Sequence, residues 1–172
     1  MKSWAERMDK YYYVVTQLPM LFFDRESYMT TEFFLREAEK WLSPADFQCL
    51  VQARYNSITL TVKSPRLLQA YVDHENAFRQ DIAAWRKAQR EGLDYKLETI
   101  PTAMVKDGNP LEIEKNLLAF RWKLIEELEI DHHFDLEFLI LYFYKLQILE
   151  TLALYNKEKG LEIFKSISKV NI

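Results

Sequence analysis

A chain of 172 residues, 49% hydrophobic and 28% charged, has the length and composition of a soluble globular domain with a sizeable core. Its formal net charge of −3 gives no electrostatic reason to expect nucleic acid as a partner. Three glycines and five prolines argue against a β-rich fold with many tight turns. The single cysteine, Cys49, excludes an intramolecular disulfide and fits a reducing compartment. The opening MKSWAERMDK lacks the apolar core of a signal peptide, so a cytoplasmic location is expected. Aromatic residues at 15% point to wide-spaced helix packing or a partner surface.

The punctuation divides the chain into helices. Ser3 and Glu6 stand at capping-box spacing, and a first helix is expected from Trp4 toward Gln17. The run Tyr11 to Val15 reads equally as a strand, because tyrosine and valine favour strands. Leu18-Pro19 ends either one. Thr30 and Thr31 are placed to cap a helix over Glu32 to Trp41, with Phe34, Leu35, Ala38 and Leu42 at helical spacing. Ser43-Pro44 starts the next, with Ser at N-cap and Pro at N1; it carries Phe47, Leu50, Val51 and Arg54 toward Asn56. The segment SITLTVK, 57–63, alternates like a short strand.

Ser64-Pro65 opens the longest pattern, which runs to about Glu91. Leu68, Tyr71, Glu75, Phe78, Ile82 and Trp85 form one stripe along it, and at 1.5 Å per residue the helix spans about 40 Å. Gly92 is its natural C-cap. Leu93 to Asn109 is a connection, and Asn109-Pro110 starts a helix running to about Ile130. The helices flanking that connection suit an antiparallel hairpin. Phe134 to Tyr155 is apolar on nearly every face, as a bundle's central helix is. Glu137, Lys145, Gln147 and Glu150 interrupt it, so it is a poor membrane span. Lys159-Gly160 marks its end, and Leu161, Phe164 and Ile167 give the tail one apolar side. The pattern predicts an all-α helical bundle with a long helical hairpin. It forms one domain over 1–172, or two subdomains, 1–63 and 110–172, joined by the helix 65–91 and the connection 92–109.

The search for chemistry returns few candidates. Glycines stand only at positions 92, 108 and 160, so no loop has the clustered glycines that let backbone N–H groups cradle a phosphate. No cofactor is expected. Asp131-His132-His133-Phe134-Asp135 offers imidazole and carboxylate, the right ligand types for a metal. Adjacent histidines diverge from a helix start, however, and Asp131 and Asp135 suit the positive end of a helix dipole. An enzymatic site would have to gather scattered groups such as His132, His133 and Glu114. Cys49 with His74 is a thiol–imidazole combination, but a lone cysteine on the apolar side of a helix is the ordinary pattern of a packed core. Arg79, Arg86, Lys87 and Arg90 read as a solvated basic helix end.

Lys145 is physically awkward, because a lone ammonium inside FLILYFYKLQIL costs several kcal/mol if fully buried. Either it snorkels to the surface or a carboxylate meets it. Glu112, Glu114 and Glu150 are the candidate partners. An exposed aromatic patch around Trp4, Tyr11, Phe22 and Phe23 is the candidate partner contact of a helical adaptor.

Several of these segments also carry a family likeness. They are Asn109-Pro110-Leu111-Glu112-Ile113-Glu114, Phe120-Arg121-Trp122 and His133-Phe134-Asp135-Leu136, with Tyr142, Lys145-Leu146-Gln147-Ile148 and Lys159-Gly160. Together with Tyr11-Tyr12-Tyr13-Val14-Val15, Leu18-Pro19 and Leu42-Ser43-Pro44, they resemble an uncharacterised bacterial family encoded among the subunits of V-type ATP synthases. That family is similar to a shortened form of the collar subunit (termed C in V/A-type ATPases and d in eukaryotes). The collar is a funnel of three-helix bundles between the central rotor shaft and the membrane ring. The resemblance implies a non-catalytic coupling or assembly role. The implied partners are the central-stalk and membrane-ring subunits, and the implied location is peripheral to the membrane through the complex. Where the repeats of the full-length collar have an acidic-then-Asn pattern and a later Arg, this chain has Lys145, Ile148 and Glu150-Thr151. Contacts made by those polar residues therefore do not carry over.

Overall fold

A computed structural model describes residues 11–23, 25–55 and 65–155. They are all-α: helical residues 11–15 (α1) are followed by α2 (Thr31–Glu39), α3 (Pro44–Gln52), α4 (Arg66–Glu91), α5 (Ala103–Lys106), α6 (Pro110–Glu129) and α7 (Leu136–Leu154), with no strand among the described residues. The strand reading of Tyr11 to Val15 gives way to a helix. Thr16 N donates to Tyr12 O, and Val14 is buried while Tyr12 and Tyr13 face out. The stretch 57–63, the Ser3/Glu6 spacing, Trp4 and the tail with Leu161, Phe164 and Ile167 lie outside the described residues.

The starts follow from cap chemistry. Thr30 Oγ1 accepts from Phe33 N at 3.1 Å, Ser43 Oγ from Asp46 N at 3.2 Å, and Asp135 Oδ1 from Phe138 N at 2.8 Å. Each side-chain oxygen satisfies an N–H that the first helical turn would otherwise leave unpaired. At α6 the capping box closes in both directions, Glu112 N to Asn109 Oδ1 at 2.9 Å and Asn109 N to Glu112 Oε2 at 3.0 Å. Gly108 before it has φ +114, and a Cβ there would lie 2.7 Å from Glu112 Oε2. Gly92 caps α4 in the left-handed region at φ +70. Helix α3 stops at Gln52, short of Asn56, where Ala53 turns extended and its carbonyl accepts from Gln147 Nε2 of α7 at 3.2 Å.

Helix α7 is the centre of the core. Every residue from Leu139 to Leu149 is buried, because α2, α3 and α6 pack around it and α4 meets it through the Tyr71–Tyr144 ring contact at 4.8 Å. One buried cluster joins Val14, Phe34, Leu50 and Tyr71 to Trp122, Ile125 and most of α7. The segments 14–53 and 118–149 therefore share a single core. A second cluster of Phe78, Ile82, Leu97, Ile100, Val105 and Leu117 lies between α4, the connection with α5, and α6.

The helices flanking the connection do meet in antiparallel sense, Glu75 against Arg121 and Phe78 stacked on Phe120 at 5.3 Å. They meet through long side chains, in keeping with the high aromatic content. The closer pairing is between α6 and α7, joined by the short turn 130–135. No helix of the described residues is long and apolar enough to cross a membrane.

Candidate functional site: an aromatic and acidic face

Helix α1 has one buried side and one exposed side. Val14 enters the core, and the Tyr11 hydroxyl donates to Asp46 Oδ2 at 3.0 Å. Burial, then the negative charge of Asp46 and this hydrogen bond, then Glu137 and Asp135, push the Tyr11 phenol above its ordinary range. Tyr11 is thus a half-buried anchor rather than a free contact residue, which corrects its place in the expected patch. Phe23 also turns inward, edge-on to Trp122 at 5.7 Å. Phe22 remains exposed with Arg25 over its ring at 4.8 Å, while Trp4 lies outside the described residues.

The exposed rings are different ones. Tyr13 stacks on Trp41 at 5.1 Å, Tyr12 meets Tyr13 edge-on at 6.2 Å, and Tyr12 lies on Phe134 at 5.3 Å. Their exposures run from 37% at Trp41 to 52% at Tyr12, so α1, the end of α2 and the α6–α7 turn build one continuous aromatic strip. Beside Trp41, a groove of about 290 Å³ is lined by Tyr28, Phe33, Glu37, Gln17 and Leu18. The signal in the sequence was the tyrosine run itself. Which members faced outward depended on the rotation of α1, which only the packing of Val14 decides.

At the Phe134 end the strip becomes acidic. Asp46, Asp135 and Glu137 all act on the Tyr11 hydroxyl. His132 Nδ1 lies 2.7 Å from Asp135 Oδ2, and His132, Asp135 and Glu137 offer ligand atoms within 4.8 Å of one another. The sequence pointed to His132 with His133; the structure instead groups His132 with the two carboxylates, while His133 is exposed. Asp135 already caps α7 with its other oxygen, and both acids sit at the positive end of that helix's dipole. Helix capping and a His–Asp pair account for the arrangement. Glu114 does not join this group. It lies fifteen residues before the end of α6, about 22 Å along the axis from the turn that carries His132.

Lys145 is paired, but with Glu129 rather than with Glu112, Glu114 or Glu150. Its ammonium meets Glu129 Oε2 and lies 5.5 Å from the centre of the Trp122 ring. Side chains on a helix lean toward its N-terminus, so Lys145 reaches toward the turn, where Glu129 ends α6. Glu112 is held in the capping box. Glu150 accepts from Thr31 N at 2.8 Å and Thr31 Oγ1 at 3.0 Å, tying the start of α2 to α7.

Two further buried charges escaped the sequence reading. Glu75 receives Arg121 through Nη2 at 2.9 Å and Nε at 3.0 Å, and Arg79 Nε at 2.6 Å. Arg79 itself stays exposed, its side chain 48% accessible, as expected of a solvated basic face, and reaches Glu75 from the solvent side. Burial disfavours the Arg121 charge, but its hydrogen bond to Glu75 and that residue's charge prevail and raise its pKa. Asp81 accepts from Thr99 N, Thr99 Oγ1, Glu98 N and the Tyr95 hydroxyl at 2.7–2.9 Å, pinning the connection to α4. Burial pushes its carboxyl up; the bonds from Thr99, Tyr95 and Glu98 outweigh it and hold it below its ordinary value. A charged residue on a core stripe, such as Glu75, was the available clue.

Cys49 is half-buried, and burial, then the charges of Asp46 and Glu137, push its thiol up. That is the opposite of an activated thiolate, and His74 is exposed on α4. Among known proteins, a family model matches residues 68–170. No curated protein and no solved structure matches the chain. The family match covers more than half of the sequence, and the chain belongs to the family described as "Protein of unknown function (DUF2764)".

Proposed function

We propose that this protein is a non-catalytic accessory or coupling subunit of a bacterial V-type ATP synthase, working between the central rotor stalk and the membrane ring or in their assembly. The resemblance of its α6–α7 segment and N-terminal signature to a shortened collar subunit suggests the complex. The observation that carries an interaction role is the strip Trp41–Tyr13–Tyr12–Phe134, exposed rings in mutual contact on a rigid helical body. Contiguous exposed apolar surface of this kind marks association sites, and tyrosine and tryptophan are the side chains that anchor them.

A tagged chain expressed at native level is expected to retain the central-stalk and membrane-ring subunits on purification, and the Tyr13→Ala, Trp41→Ala double variant to lose them. A tagged protein that never retains these subunits, in cells whose ATP synthase stays intact after its deletion, refutes the proposal. A helical adaptor for an unrelated protein partner is the second reading, favoured by the same strip; it predicts retention of a partner outside the ATP synthase.

A further inference from the structure

We infer that the aromatic strip receives a basic protein segment, one presenting lysine or arginine beside apolar side chains. The inference rests on the reading of this face as a docking surface, but not on the ATP synthase assignment. Three observations carry it. The rings of Tyr12, Tyr13, Trp41 and Phe134 stand partly exposed in an unbroken series, and such π-faces attract Lys and Arg as well as apolar groups. At the Phe134 end, Asp46 accepts from the Tyr11 hydroxyl at 3.0 Å and Asp135 and Glu137 lie together at the start of α7, and no lysine or arginine pairs with any of them among the described residues. Among the described residues, the basic side chains beside the strip already have partners: Lys40 on Glu37 at 2.6 Å, Arg36 over the Phe33 ring at 5.2 Å, and the His132 ring 2.7 Å from Asp135.

The charge selects the occupant. Nucleic acid and anionic membrane surfaces are repelled by an acidic rim, as is a second copy docked face to face, which would bring like carboxylates together. A cationic segment is attracted to it. Its lysines can meet Asp46, Asp135 and Glu137 while its apolar side chains lie along the rings and in the groove beside Trp41. Complementarity of this sort sets partner choice and encounter rate, and it weakens with salt.

The test is titration of the purified chain with a short amphipathic leucine–lysine peptide and with its leucine–glutamate counterpart. The lysine peptide is expected to bind, with affinity that falls as salt rises. Tyr13→Ala is expected to weaken binding about tenfold and Glu137→Gln about threefold, whereas Glu91→Gln, at the far end of α4, leaves it unchanged. Thermal melts confirm that each variant is folded, and the salt dependence of the unaltered chain provides a reading that needs no variant. Equal binding of the two peptides, or binding indifferent to salt, Tyr13→Ala and Glu137→Gln, overturns the inference. Self-association abolished by the same substitutions assigns the face to a second copy and overturns it as well. Failed co-purification with ATP synthase subunits alongside intact lysine-peptide binding removes the complex assignment and leaves this inference standing.

Discussion

Replacing Lys145 by methionine keeps the stem and removes the charge, leaving Glu129 without its cation. Breaking a fully buried pair costs about 3–5 kcal/mol, because the remaining charge is desolvated and uncompensated. Here the side chain of Lys145 is 9% exposed and that of Glu129 is 21%, so the stranded carboxylate can partly rehydrate. About 2 kcal/mol is therefore expected, including about 0.5 kcal/mol from the lost contact with the Trp122 ring. Glu129→Gln strands the more deeply buried partner and is expected to destabilise by about 3 kcal/mol. The double variant Lys145→Met, Glu129→Leu removes both charges and should return to within about 1 kcal/mol of the parent. Urea denaturation with a common slope measures each free energy. In a thermal melt, Lys145→Met should lower Tm by about 6 °C for a domain of this size. If both single variants are as stable as the parent, the ammonium is solvated along its stem and the pairing argument fails.

Two further predictions concern the connection between α4 and α6. Asp81→Asn keeps the shape but removes the charge that receives Thr99, Glu98 and Tyr95, and a loss of about 2 kcal/mol is expected by chemical denaturation. The folded-state pKa of Asp81 is depressed below the ordinary 3.8. Its stabilising contribution is thus present above about pH 4 and is lost as pH falls through the folded value. The Asn variant should show a flatter stability profile below pH 4, and an unchanged acid profile would contradict the role given to these hydrogen bonds. Gly108→Ala places a side chain at φ +114, 2.7 Å from Glu112 Oε2. It should cost about 1–2 kcal/mol by straining the backbone and opening the capping box, and a melt coincident with the parent would show that the box is dispensable.

Much of the architecture was legible in the chain because helix starts and stops are local chemistry. Thr30, Ser43-Pro44, Asn109-Pro110 and Asp135 each cap a helix with atoms a few residues away. The run of α7, apolar on nearly every face despite its few polar residues, likewise declared its own burial, since no single apolar stripe could account for it. Charge partners were less legible. Lys145 announced that it needed a carboxylate, but Glu129 rather than Glu112, Glu114 or Glu150 answered, because the lean of the side chain and the geometry of the α6–α7 turn decide its reach.

The site followed the same division. An aromatic contact was expected around Trp4, Tyr11, Phe22 and Phe23, but the exposed strip is built from Tyr12, Tyr13, Trp41 and Phe134. The rotation that buries Val14, ties Tyr11 to Asp46 and leaves Tyr12 and Tyr13 outside came from packing against α3 and α7. So did the meeting of Trp41 and Phe134, separated by ninety-three positions in the chain, on one strip. By itself the sequence determined an all-helical protein with a central buried helix, because capping and periodicity act over a single turn. Only the tertiary structure decided which charges pair and which rings face solvent, because those outcomes depend on the distances between helices that no local pattern encodes.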